Sequence, residues 1–360
     1  MENCELEYGA AARLKEGVLD PGLCSGCGAC VGFCPYIKSY NERVAIIHNC
    51  QICEGICYRI CPRGFTQYMS LRREVFGAAD FDSVLGAHKE IYFARAAEEK
   101  IRSCGQYGGV VSALSVFALK EGFIESILMT GGNVKGTKPV LVSSASGVTE
   151  CAGSKYTAAP TLRLFQDAVR KGYQKIGVVG RPCQVTASRK MQQASEINGQ
   201  CISLVIGLFC MGSFSPEFYT FINMKDLGSY DRMDIPKDVH FRGSDQEIII
   251  PFEEMRQFIR NACLSCYDPL SELADISVGS TEYDPDWNAL ILRTTKGSEL
   301  VEQACASGYI EIKPYPPELL PILRKAVFRR KKRVLERPDF TYLNLSAQER
   351  EYFLSTGDDD

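Results

Sequence analysis

The sequence predicts an α/β protein in two parts: a small cysteine-rich module at the amino terminus and a larger body of alternating strands and helices. Three observations carry this expectation. Two cysteine runs, each closed by Cys-Pro, fall within the first 61 residues. From Ile91 onward, short apolar runs alternate with amphipathic segments and are punctuated by glycine and proline. The 360 residues also far exceed what a small metal-binding module needs, so length alone implies further domains.

The first run is Cys24-x2-Cys27-x2-Cys30-x3-Cys34-Pro35, and the second is Cys50-x2-Cys53-x3-Cys57-x3-Cys61-Pro62. Thiolates at these intervals wrap a cubane iron–sulfur cluster, and in the bacterial ferredoxin arrangement the fourth cysteine of each run ligates the other cluster. One [4Fe–4S] cluster is therefore expected on Cys24, Cys27, Cys30 and Cys61, the other on Cys50, Cys53, Cys57 and Cys34. The extra residue between Cys53 and Cys57 is small enough for a loop to absorb. This places a 2[4Fe–4S] ferredoxin-type module within residues 1–75, and its chemistry is electron transfer. Disulfides would need an oxidising compartment, yet the chain opens Met1-Glu2-Asn3-Cys4-Glu5 without a charged-then-apolar signal segment. Zinc ribbons use paired knuckles further apart than these. The expected setting is a reducing, anaerobic cytoplasm. A formal charge of −3 gives no reason to expect nucleic acid. The longest apolar stretch, Ile202 to Phe214, falls short of the roughly 18 residues of a membrane span.

Residues 71–89 read as a connector containing Gly77-Ala78-Ala79-Asp80. The body then divides into a first part, 90–172, and a second part, 173–340, followed by a tail, 341–360. Ile91 to Ala94 reads as a strand. A helix is expected over 109–120, with Val110, Leu114, Phe117 and Ala118 on one face and Gly122 ending it. Ile124 to Thr130 and Val140 to Ser143 follow as strands, and Leu162 to Lys171 as a helix stopped by Gly172. Lys175 to Gly180 is a short buried strand leading into another helix after Arg181. Cys201 to Phe209 is the next buried strand, and a long polar loop is expected after it. Glu247 to Pro251, Asp275 to Gly279, Ala289 to Arg293 and Ile310 to Pro314 complete the strands, with a helix over 296–306. The basic run from Arg324 to Arg333 reads as a solvated helix face, or else as a docking face for an acidic partner subunit. Asp358, Asp359 and Asp360 read as a disordered tail.

Cys263-x2-Cys266 is a weak signal by itself, open to zinc, redox and structural uses. Cys183 and Cys210 strengthen it, because both lie just past the carboxyl ends of expected parallel strands, where α/β sheets gather their site residues. Cys4, Cys104, Cys151, Cys201 and Cys305 read as ordinary thiols. His48, His88 and His240 show no metal-site spacing.

Gln106-Tyr107-Gly108-Gly109-Val110-Val111-Ser112-Ala113-Leu114 resembles the Gln-Asp-Gly-Gly-x-Val-Thr/Ser-x-Leu loop of the beta subunits of coenzyme F420-reducing hydrogenases and dehydrogenases. Gly153-Ser154-Lys155-Tyr156, Gly180-Arg181-Pro182-Cys183-Gln184, and Arg260 to Cys266 followed by Ala274 to Gly279 resemble further blocks of that family. Together they span about residues 90–335. The resemblance implies an FAD within the α/β body, with Gln106, Tyr107, Gly108, Gly109, Ser154, Lys155, Tyr156 and Arg181 at its site. It also implies a third [4Fe–4S] cluster on Cys183, Cys210, Cys263 and Cys266, and a hydride site for coenzyme F420. In physical terms, Gly108 and Gly109 let backbone approach a cofactor, and the helix beginning there turns its amide-rich end toward an anion. Lys155 suits a phosphate and Tyr156 a ring, while the Arg181 guanidinium suits a phosphate or the carboxylates of F420. Tyr107 departs from the family's aspartate, which bears on the identity of the hydride donor.

The expected function is electron transfer between F420, as hydride through FAD, and clusters leading to a partner redox subunit. That partner belongs to a hydrogenase, a formate dehydrogenase, a sulfite reductase or a heterodisulfide-reductase-like assembly. No side chain is required as a nucleophile or strong base, because a flavin alone converts hydride into single electrons. The same relay could instead serve NAD(P)H or ferredoxin, although no GxGxxG opens a helix here. A non-catalytic electron wire and a reductase of its own organic substrate are further alternatives.

Overall fold

The computed structural model describes residues 9–40, 42–48, 50–78, 81–133, 136–225, 230–243, 246–281, 283–337 and 342–355. Cys4, Ala79, Asp80 and the Asp358–Asp360 tail lie outside them.

The amino-terminal module is built on a short helix, Ala10–Leu14, a hairpin of β1 (Ile37–Tyr40) and β2 (Arg43–Ile46), and a one-turn helix, Ile56–Arg59. The body adds β3 (Glu90–Ala96), β4 (Ser126–Asn133), β5 (Gly136–Val142), β6 (Ile176–Gly180) and β7 (Ile202–Leu208). After these come β8 (Arg232–Asp234), β9 (Val239–Arg242), β10 (Glu247–Ile250), β11 (Ile276–Ser280), β12 (Asn288–Leu292) and β13 (Ile310–Pro314).

Eight of these strands form one sheet in the order β13-β3-β12-β11-β7-β6-β4-β5. The four central strands, β11, β7, β6 and β4, are parallel, and the flanking strands are antiparallel. Every residue of β6 and β12 is buried, as expected of strands covered on both faces. One face packs on Leu114, Phe117, Leu300 and Val301, the other on Leu162, Phe165, Val185, Met191 and Tyr267. The strands and helices expected from the sequence in this body are present, displaced at their ends by a few residues. Helix Val110–Lys120 runs to Gly122, which sits in the left-handed region as a helix stop requires.

This topology gathers the chemistry on one edge. The parallel strands all end there; Asn288 at the start of β12 lies opposite Ser280, and Ala94 near the end of β3 lies opposite Asn288. The segments holding Cys104 to Gly109, Arg181 to Cys183 and Cys210 therefore leave the sheet at the same side.

Three expectations need correction. Where a long polar loop is expected after Cys210, the chain forms helix Glu217–Met224 and a separate antiparallel sheet, β10-β9-β8, around Phe218, Phe241 and Met255. Strands β8 and β9, of three and four residues, are too short to show a period, while β10 lies within the strand expected over Glu247 to Pro251. The connector begins inside a helix, Tyr68–Phe76, whose Tyr68 and Leu71 enter the main core. The basic run lies in helix Leu320–Leu335, but it is not simply a solvated face. Arg330 and Lys331 are buried, while Lys325, Arg329 and Arg333 are exposed or half-buried.

The amino-terminal module is not a bead on a string. Leu162 donates to the Cys27 carbonyl at 3.1 Å, and Thr66 pairs with Tyr342 and Asn344 through backbone hydrogen bonds of 2.9 and 2.8 Å. Gly28, in the left-handed region, lies so close to Pro160 that a side chain there would meet its carbonyl oxygen at 2.5 Å. Among the described residues, no helix is long and apolar enough to cross a membrane.

Candidate functional site

The cysteines sort into three groups by proximity. Cys24, Cys27, Cys30 and Cys61 line one small enclosed cavity, together with Gly28, Ala29 and Pro62. Cys61 enters from the second run, as the crossed pattern requires. Cys57 lies in the electrostatic reach of Cys50 and Cys34. Cys183, Cys210, Cys263 and Cys266 act on one another in the body, at the carboxyl edge of the sheet. Burial pushes the Cys57 thiol up to about 11 and that of Cys210 up to about 12, so neither ionises readily without a cation. Sets of soft sulfur donors suit zinc or iron–sulfur clusters. Among the described residues, no three His, Cys, Asp or Glu side chains close around a single-ion site. A cubane needs neighbouring thiols at its corners rather than touching ones.

The groups are also contiguous. Cys24 and Cys27 feel Cys183 of the body, and Cys30 feels Cys57 of the other amino-terminal set.

Buried cations surround the body thiols and the first set. Arg181, at the start of helix Pro182–Gln192, faces Cys183, Cys210 and Cys263, and its buried Nη2 has no hydrogen-bond partner. An orphaned guanidinium nitrogen beside three thiols fits a site built for an anionic cluster. Arg330 donates to the carbonyls of Cys263, Cys266 and Met211, the last at 3.2 Å. Arg63 donates to Ser265 and Ala262 in the same loop. Lys190, on the helix that carries Cys183, donates to the Cys61 carbonyl at 2.7 Å and to Phe65 and Thr66; burial pushes it down to about 8. Arg260 pairs with Glu42 and reaches the Cys24 carbonyl at 3.3 Å. Such groups orient ligating loops and set the field at the sulfurs.

The loop before helix Val110–Lys120 forms the second part of the site. Tyr107 adopts a left-handed backbone (φ 57°), as does Gly109 (φ 70°). A side chain at Gly108 would meet the Ala94 carbonyl at 2.8 Å, and one at Gly109 would meet the Arg102 Cα at 3.0 Å. These glycines thus answer to the chain's own packing, whatever else binds nearby. Asn288 accepts from the Val110 amide at 3.3 Å. Gln106 donates to the Tyr156 hydroxyl at 3.0 Å and to Asp234, which also accepts from the hydroxyls of Tyr107 and Tyr156, both at 3.3 Å. Burial pushes the Tyr156 phenol up, and the Asp234 charge adds to it. Ser154 lies beside Gly153, in the same segment as Lys155 and Tyr156. Lys155 is spent locally: its Nζ donates to the carbonyls of Cys151, Ala152 and Gly153 at 2.6 to 2.8 Å, and burial pushes it down to about 8.

Asp234, Lys190 and Arg330 carry no local signal in the sequence. Arg63 alone among the newly placed residues does, standing directly after a Cys-Pro.

Comparison with known proteins follows the same division. Residues 91–166 match the amino-terminal domain of the family described as "Coenzyme F420 hydrogenase/dehydrogenase, beta subunit", and residues 173–318 match the carboxy-terminal domain of the same family. Residues 18–36 match a 4Fe-4S binding domain. The chain is 33% identical to the beta subunit of the coenzyme F420 hydrogenase of Methanothermobacter thermautotrophicus, over 64% of this chain and 86% of that protein. It is 28% identical to a subunit of the F(420)H(2) dehydrogenase of Methanosarcina mazei, over 88% of this chain and 91% of that one. The structure superposes with a TM-score of 0.66 on a chain of the F420-reducing [NiFe] hydrogenase complex from Methanosarcina barkeri. That match covers 72% of this chain and 94% of the other, at 29% identity. With both halves of the body and the cluster motif matched, the chain belongs to the coenzyme F420 hydrogenase/dehydrogenase beta subunit family.

Proposed function

We propose that this chain is an iron–sulfur flavoprotein subunit that moves electrons between coenzyme F420 and a partner redox subunit. An FAD held near the Gln106–Gly109 loop would supply the hydride chemistry, and three [4Fe–4S] clusters on the cysteine sets would supply the one-electron path. The observation that supports this reading is the succession of cysteine groups: Cys183/210/263/266 beside Cys24/27/30/61, and Cys30 of that set beside Cys57, which neighbours Cys50 and Cys34; among the described residues, Cys53 is not a free thiol.

A flavin, when bound, supplies the conversion between a hydride and two separate electrons, which no side chain here can perform. The chain's own residues hold and orient it. Helix Val110–Lys120 offers the first-turn amides of Val111 and Ser112 to an anionic group, as helix starts do. Gly153 is left-handed, and its open side has nothing nearer than the Cys104 carbonyl at 3.9 Å, leaving room between the two loops. Gln106 and Tyr107 of the one loop and Tyr156 of the other join on Asp234, a cluster of donors, acceptors and rings. Arg181 serves the third cluster rather than a phosphate, because it faces the thiols.

At the far end, Tyr36, Ile47 and Ile52 are exposed beside the Cys34/50/53/57 set. This apolar rim supports electron exit to a partner there. Replacing Cys263 and Cys266 together with serine is expected to remove about four irons per chain and spare the amino-terminal clusters. Unchanged iron content would rule out the third cluster.

A further inference from the structure

Arg63 occupies an unusual position between two of the thiol groups. It directly follows Cys61-Pro62, and Cys61 feels its charge. Arg63 is 5% exposed, and its guanidinium donates to the carbonyls of Ser265 at 3.0 Å and of Ala262 and lies over the Tyr342 ring at 4.5 Å. Ser265 and Ala262 belong to the loop that presents Cys263 and Cys266. The groups on which the Arg63 charge acts most are Tyr342, Cys266, Cys183 and Cys263; no carboxylate is among them. A fully buried cation needs a compensating negative charge nearby. Here carbonyl dipoles supply part of it, and the sulfur sites on either side are the remaining candidates.

Lys190 and Arg181 do not share this placement. Lys190 bonds only on the Cys61 side, and Arg181 faces only the body thiols and Glu42.

We propose that Arg63 is the shared counter-charge of the first and third clusters, raising both reduction potentials together and so making both easier to reduce without changing the driving force of the step between them. The inference rests on the reading that both thiol sets hold clusters. In the step itself one electron leaves the third cluster, which is oxidised, and enters the first, which is reduced; no bond or proton moves. The electron stays close to the same cation before and after the transfer, so the cation favours reduction at either end.

The test is an anaerobic redox titration of the full reconstituted chain, followed by electron paramagnetic resonance, with iron and sulfide measured on each sample. Signals are assigned against the Cys263→Ser/Cys266→Ser and Cys50→Ser/Cys57→Ser chains. Arg63→Gln is expected to keep its iron. It should lower the reduced-to-oxidised ratio of the first and third clusters at least tenfold at fixed potential, about 59 mV for a one-electron couple. The Cys34/50/53/57 cluster should not move. Arg63→Lys, which keeps the charge and loses the fork, should restore most of the shift.

Full iron in Arg63→Gln with unmoved potentials would overturn the proposal, as would an equal shift of all three clusters. If Arg63→Gln loses iron, Arg63→Lys decides: near-native potentials support the charge role, and a shift of a tenfold or more contradicts it. A wild-type chain holding well under about twelve irons would instead sink the underlying three-cluster reading.

Discussion

Three side chains, Gln106, Tyr107 and Tyr156, meet at the carboxylate of Asp234, and that meeting organises the loop where the sequence departs from its family. Tyr107 takes the place of the aspartate in the motif that its loop resembles, yet its hydroxyl ends on a carboxylate supplied by β8. Asp234→Asn replaces one acceptor oxygen with a donor that faces Gln106 and two phenols. Hydrogen bonds to a charged group contribute about 1.5–3 kcal/mol. We expect the variant to retain flavin about tenfold less tightly at unchanged iron content. Flavin absorbance and iron analysis on one sample check this, and undiminished flavin would remove Asp234 from the site. The cysteine runs were legible in the sequence because their spacing is local. Asp234 was not, since its bond to Gln106 joins residues 128 positions apart, one on β8 and one in the loop before helix Val110–Lys120.

Among the elements, the helix Leu320–Leu335 shows how composition misleads. Ten residues rich in arginine and lysine suggest solvent, but Val327, Phe328, Val334 and Leu335 are buried with Lys331 among them. Lys331 is 0% exposed, forms an ion pair with Glu272 at 2.7 Å, and donates to the Ser83 carbonyl at 2.8 Å. The neighbouring Arg330 holds the loop of Cys263 and Cys266. The apolar stripe at helical spacing was the available signal for which side is inward. Lys331→Met removes the cation in contact with buried Glu272, leaving it the Tyr68 hydroxyl and the more distant Arg293 and Arg72, and is expected to cost about 3 kcal/mol. Denaturant unfolding of the holo chain measures it, and adding Glu272→Gln should recover much of the loss. A single variant as stable as the wild type would contradict the burial. The parallel strands were legible because burial on both faces makes them continuous apolar runs. Of the three-stranded sheet only β10 was legible, as the strand expected over Glu247 to Pro251; Arg232 to Asp234 offers too few residues for any period.

For the whole molecule, the amino-terminal module and the body share one core, with Cys27, Ala29, Ile60 and Tyr68 packed among Leu162, Phe165 and Tyr267. Deleting residues 1–70 would therefore strip the body's packing as well as its clusters, so cysteine substitution is the cleaner way to interrupt the relay. That interdependence was invisible in the sequence, where the two parts look like separable domains: Leu162 and Cys27, which join them, are 135 positions apart in the sequence. The shared core also explains how thiol groups from both parts become neighbours. The central claim is that a hydride from F420 is split at this chain and leaves through the amino-terminal clusters. The most direct measurement mixes the anaerobic, iron- and FAD-reconstituted chain rapidly with reduced F420 and, separately, with NADH. The wild type is compared with Cys50→Ser/Cys57→Ser, each with a one-electron acceptor protein present. The account predicts that reduced F420 alone bleaches the flavin at the same rate in both chains, while only the wild type passes electrons to the acceptor. A flavin that reduced F420 leaves unbleached, or delivery undiminished in the substituted chain, would contradict it.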